Sequence, residues 1–139
     1  MSILVIIIDQ DTKECDPNIK NLQTIFNDPF YHVLIVKDYR EALIIAHKQY
    51  SDLPSLLIRD NSIVLFDIKH LIEKVLTIQA DLHFLCSWGD SCHQYTNTDL
   101  TGVKWTYDSY ASQAVLYMPK CRKEIIKKLK KNCNLEDFS

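Results

Sequence analysis

Two glycines, Gly89 and Gly102, are all that 139 residues contain, and that scarcity removes whole classes of enzyme. A dinucleotide fingerprint needs three glycines within six positions so that backbone can approach a pyrophosphate. A phosphate-cradling Walker loop needs two glycines five apart before a lysine, and a nucleophile elbow needs two flanking a serine. Gly89 and Gly102 meet none of these spacings. Charge of one sign is also lacking: 16 basic against 18 acidic side chains leave a formal net charge of −2, so no global field draws in a polyanion and nucleic acid is not expected as a partner. Long apolar runs are missing too. The longest, Ile3 to Ile8, is too short for a membrane span or a signal-peptide core, and no charged leader precedes it, so a mature, cytoplasmic chain with no membrane contact is expected. The five cysteines are odd in number, which fits free thiols in a reducing compartment better than a disulfide scaffold.

What is present describes one globular domain over residues 1–139. With 47% hydrophobic residues, a chain of this length buries roughly two thirds of the surface its unfolded form exposes and needs no covalent staple. Ser2 to Ile8 is a continuous Ile, Leu and Val run, the pattern of a strand covered on both faces in a parallel sheet. Pro17 can open a helix behind Asp16, with Ile19, Leu22, Ile25 and Phe26 on one face. Tyr31 to Val36 reads as a second strand, followed by a helix behind Asp38 that carries Ala42, Leu43, Ile45 and Ala46. Leu56 to Ile58 is a third strand. Ile68 to Ala80 is an amphipathic helix, Leu82 to Cys86 a fourth strand, Ala114 to Tyr117 a fifth, and Glu124 to Lys131 a basic closing helix. Ser87 to Ser109 shows no sustained period. The alternation predicts an α/β fold, a doubly wound parallel five-stranded sheet with helices on both faces, whose core includes Ile6, Ile8, Leu34, Leu57 and Phe84.

Such sheets hold their sites at the carboxyl ends of the strands. Asp9 ends the first strand, Asp60 the third and Ser87 the fourth, so two carboxylates and a hydroxyl are expected on one edge. Asp9 and Asp60 could form half of an oxygen shell for Mg²⁺; the plain alternative is that strands end in polar residues because they end at the surface.

The stretch Tyr31 to Asp60 resembles a response-regulator receiver domain. Lys37-Asp38-Tyr39-Arg40-Glu41-Ala42-Leu43 is similar to the receiver's acidic turn and following helix, and Pro54-Ser55-Leu56-Leu57-Ile58-Arg59-Asp60 to its hydrophobic strand ending in the phosphoacceptor. The resemblance implies a flavodoxin-like fold, Asp60 as phosphoacceptor, Asp9 and Asp60 as Mg²⁺ ligands, and Ser87 as the phosphate-contacting hydroxyl. Gln10 stands where the family has a second acid, and Met118 stands where its lysine precedes a proline, here Pro119. These departures make a degenerate, pseudo-receiver domain the leading expectation: a non-catalytic signalling or adaptor module without a cofactor, acting through protein contacts. The same elements resemble, more weakly, the flavodoxin-like wing domain of bacterial Orn/Lys/Arg decarboxylases, which implies an oligomerisation module.

Trp88, Trp105, Tyr107 and Tyr110 form a candidate interaction surface for a protein partner or a second copy, since aromatics are enriched at interface hot spots. Cys86, Cys92 and His93 have weak spacing for zinc. The basic run Lys120 to Lys131 reads as the solvated side of a last helix.

Overall fold

The computed structural model describes residues 2–9, 17–85, 95–98, 104–106 and 113–132. Seven strands and four helices are found among them: β1 (Ile3–Ile8), α1 (Pro17–Ile25), β2 (Tyr31–Val36), α2 (Tyr39–Gln49), β3 (Ser55–Arg59), α3 (Ile68–Val75), β4 (Leu82–Phe84), β5 (Tyr95–Asn97), β6 (Lys104–Thr106), β7 (Ala114–Tyr117) and α4 (Pro119–Asn132).

The first half follows the hydrophobic pattern. All six residues of β1 are buried because β1 lies between β2 and β3 and has helices on both faces. Its alternate residues feed two cores. Ile3, Val5 and Ile7 join Leu56 and Ile58 of β3, Ala114 and Leu116 of β7, Ile19 and Leu22 of α1, and Ile68, Ile72 and Val75 of α3. Leu4, Ile6 and Ile8 join Leu57, Ala42, Leu43 and Ala46 of α2, and Ile126 of α4. The domain is therefore a three-layer α/β sandwich, with α1 and α3 on one face and α2 and α4 on the other.

The sheet itself departs from expectation. Its order is β2-β1-β3-β7-β4; β1 runs parallel to β2 and β3, but β7 is antiparallel to both β3 and β4. The sheet is mixed, not parallel, and the expected flavodoxin-like order is corrected in its second half. The cause lies in the connection: a parallel return needs a crossover, usually a helix, and between β4 and β7 the described residues hold a two-stranded ribbon, β5 with β6, instead. The chain comes back in the reverse direction and fills the gap between β3 and β4. There is a second departure. The β1-α1-β2 and β2-α2-β3 crossovers run in opposite directions over opposite faces and so share one hand. The β3-α3-β4 crossover runs the same way as β2-α2-β3 but over the other face, so its hand is opposite to that of the first two, whereas parallel units ordinarily share one hand.

Smaller corrections have local causes. Leu34 and Phe84, expected in the core, are only half-buried, because β2 and β4 are the two edges. Helix α3 stops at Val75 rather than Ala80: the Thr77 hydroxyl donates to the Lys74 carbonyl at 2.7 Å, and Ile78 N–H bonds back to Val75 rather than Lys74, which tightens the last turn. Helix α4 starts five residues earlier than expected, at Pro119, whose fixed φ and missing N–H suit a first helical position.

Candidate functional site

Two backbone bonds carry the sheet one residue past its last ladder rung. Asp9 N–H donates to the Val36 carbonyl at 2.8 Å, and Asp60 N–H to the Ile8 carbonyl at 2.9 Å. Since Ile8 pairs with Arg59, Asp9 and Asp60 are the next neighbours, side by side at the carboxyl ends of β1 and β3. Both are buried, at 7% and 5% relative exposure. The alternation that places Ile7 and Ile58 under α1 and α3 places these two side chains on the same face.

Their surroundings are polar and specific. Lys37, just after β2, reaches Asp9 Oδ2 with its Nζ at 3.1 Å, while the other carboxylate oxygen of Asp9 is buried without a hydrogen bond. Asn18, in the first turn of α1, donates its amide to the carbonyls of Asp60 and Ser62. Gln113, the residue before β7, donates to Asn61 Oδ1 at 2.6 Å and to Ser62 Oγ at 2.7 Å, and its own carbonyl accepts from Arg59 N–H at 3.0 Å. Asn18 of α1 and Gln113 before β7 thus clamp the turn that follows Asp60 from two sides. This arrangement presents fixed donors and acceptors at one edge of the sheet; among the described residues no group of three or more His, Cys, Asp or Glu is placed to hold a metal ion.

Beyond the turn the chain becomes apolar and faces water. Ile63 is 76%, Leu65 87% and Phe66 53% exposed, and Val64 tucks back against the α1/α3 core. Four consecutive apolar residues with three in solvent, beside a pair of buried carboxylates, form a distinct feature of this edge.

The antiparallel β7 rearranges the residues carried over from the receiver resemblance. Met118 follows Tyr117, which pairs with Ser55 and Leu82, the first residues of β3 and β4. Met118 therefore lies at the opposite edge from Asp60, its N–H bonded to the Asp81 carbonyl at 3.2 Å, and it is not the counterpart of the receiver lysine. Gln113 occupies the carboxyl edge instead. Gln10, Ser87, Trp88, Tyr107 and Tyr110 lie outside the described residues, as do Cys86, Cys92 and His93. Trp105 belongs to β6, opposite Thr96; its side chain is outside the description.

Sequence reading missed Asn18, Lys37, Ser62 and Gln113 as members of this edge. Lys37 and Ser62 were within reach, since each follows a strand end closely. Gln113 was not, because its position depends on the direction of β7. Arg122 departs from the basic outer face expected of the last helix: it is 1% exposed. Lys120, Lys123, Lys127 and Lys128 on the same helix are exposed, as expected.

On the opposite face, Tyr39 at the start of α2 and Tyr117 of β7 share a 2.7 Å hydroxyl–hydroxyl hydrogen bond, and the Arg59 guanidinium stacks over the Tyr39 ring at 5.1 Å. Burial holds both phenols above their ordinary range, so the pair stays neutral and serves to pin α2 to the sheet. Burial alone lowers the pKa of His83, on the other face of the sheet.

Comparison with protein-family models, with curated proteins and with solved structures found no match for this chain. No helix among the described residues is long and apolar enough to cross a membrane.

Proposed function

We propose that this chain is a non-catalytic protein-contact domain of a signalling or adaptor kind, with its working surface at the carboxyl edge of the sheet. The observation that supports it most is the exposed Ile63, Leu65 and Phe66 beside Asp9 and Asp60. Apolar side chains cost little when scattered singly, but a contiguous exposed set marks a place where another surface docks, and polar anchors next to an apolar anchor are the usual anatomy of an interface. The receiver-like half, β1 to β3, supplies the rigid platform.

The test is to identify a partner, purify both components and measure the binary affinity. Leu65→Asp with Phe66→Asp is expected to weaken it by about 100-fold, as loss of a central anchor does, with an unchanged far-UV spectrum. Unchanged affinity in the double variant would remove this loop from the interface.

The neighbouring positions of Asp9 and Asp60 favour a second reading, a phosphorylatable domain with Asp60 as acceptor. Phosphoryl transfer relies on cations that neutralise the gathering charge. Lys37 is directed to Asp9, and the antiparallel β7 puts Met118 at the far edge. Incubation with acetyl phosphate and Mg²⁺ is therefore expected to add no phosphoryl mass. A gain of one phosphoryl group that vanishes in Asp60→Asn would establish the second reading in place of the first.

A further inference from the structure

The β2 edge carries an inference of its own. Within the five-stranded sheet β2 has one neighbour, β1. The bonds from Ile3 N–H to the Phe30 carbonyl and from Asp9 N–H to the Val36 carbonyl show that the even-numbered residues of β2 face β1. The odd-numbered ones must face away: N–H and C=O of Val33 and Ile35, and C=O of Tyr31, whose N–H is taken by the Asp28 carbonyl at 3.0 Å.

Natural sheets blunt such an edge with lysines, prolines, bulges or inward charges. From Phe30 to Val36 there is no Lys, Arg, Asp, Glu or Pro, and the register with β1 runs without a bulge. Phe30 is 60% and Ile35 44% exposed. Alongside the strand, Phe26, Tyr31 and Val33 line an open groove of about 490 Å³ together with Gln23 and Asp28. Charge returns only at the two ends, with Asp28 before the strand and Lys37 and Asp38 after it.

We propose that β2 pairs with β2 of a second copy of this chain, antiparallel and centred on Val33, to make one continuous sheet across the dimer. Four of the five outward groups pair about that centre, the Ile35 carbonyl alone finding no donor because the Tyr31 N–H is already taken. Val33 N–H meets the other copy's Val33 carbonyl in both directions, and Ile35 N–H meets the other copy's Tyr31 carbonyl, again reciprocally. Tyr31 then stands opposite Ile35, an aromatic and β-branched pair of the kind that stabilises antiparallel neighbours. The contact is isologous, as a two-fold dimer requires. It uses a different surface from the exposed loop at Ile63 to Phe66 and does not depend on a partner for that loop.

Sedimentation of the full chain over a range of concentrations tests this. The wild type is expected to sediment at twice the 16.2 kDa chain mass. Ile35→Lys places a charge opposite Tyr31 and is expected to raise the dimer dissociation constant by about 100-fold. Val33→Pro removes an outward N–H that β1 does not use and should do the same; if Val33→Pro unfolds by far-UV circular dichroism, Ile35→Lys decides. Leu65→Asp with Phe66→Asp is expected to leave the dimer intact. A monomeric wild type, or a dimer unaffected by Ile35→Lys, overturns the proposal. So does a dimer broken only by the Leu65 and Phe66 changes, an outcome that would leave the contact role of the loop standing.

Discussion

Arg122→Ala is expected to destabilise the domain by about 3 to 5 kcal/mol, because it leaves buried neutral oxygens without their charged donor at about 1 to 3 kcal/mol each. Arg122 comes from the first turns of α4 and extends into the face shared with α2. Its guanidinium donates to the carbonyl of Leu53, to Ser55 Oγ at 2.9 Å, to the Tyr50 carbonyl at 2.9 Å and to the Ser51 carbonyl at 3.1 Å. These four neutral oxygens belong to the C-terminal end of α2, the loop after it and the first residue of β3. Two stabilising effects add here. A planar fork satisfies several carbonyls at once, which a lysine cannot do, and a cation sits at the negative end of the α2 dipole. Burial opposes them and lowers the Arg122 pKa, though not enough to discharge a guanidinium at neutral pH. Truncation leaves the four oxygens without their donor and opens a cavity between α4 and β3. Arg122→Lys should recover less than half of the loss, because one ammonium cannot span the set. Urea unfolding monitored by circular dichroism measures both; a loss below about 1 kcal/mol for Arg122→Ala would mean that water replaces the guanidinium at little cost.

The other large effect expected is at Leu57. It is fully buried in the central strand, between Ile6 of β1 and Val115 of β7 in register, and it faces the α2/α4 core. Leu57→Ala should cost about 2 to 5 kcal/mol, the transfer free energy of the lost methyl groups plus the cavity left in a site that rigid strands on both sides keep from collapsing. Leu34, by contrast, lies on the β2 edge and is half-buried, so Leu34→Ala should cost distinctly less in the same unfolding experiment. Equal losses at the two positions would contradict the sheet order.

How much of this was legible follows from what side-chain pattern encodes. A strand covered on both faces must be apolar at every position, and Ile3–Ile8 announces that without ambiguity. Helical spacing likewise exposed the inward faces of α1 and α2. The pairing of Asp9 with Asp60 followed from the rule for carboxyl ends, because both strands lie in the half that obeys the parallel scheme. Strand direction is different. Ala114–Tyr117 reads as a strand in either orientation, since hydrophobicity says nothing about polarity of the chain, and only a crossover helix between Leu82–Phe84 and Ala114 would have marked it as parallel. The same gap hid Gln113 and misplaced Met118. Arg122 was hidden for another reason: in a run of Lys and Arg, nothing in composition separates the one cation that turns inward from those that remain in water.

The antiparallel β7 also constrains the order in which the molecule can be assembled. It sits between β3 and β4, so the middle of the sheet is completed by a strand that emerges from synthesis well after its neighbours on both sides. Until residues 114–117 arrive, β3 has an open edge beside Leu56, Leu57 and Ile58, and β4 lacks the strand it pairs with. Contacts so distant in sequence slow folding and leave apolar edges exposed in partly made chains. Nascent chains of this protein should therefore depend on holding factors until residues 114–117 have emerged, and the half that is easiest to read from sequence is also the half that must wait.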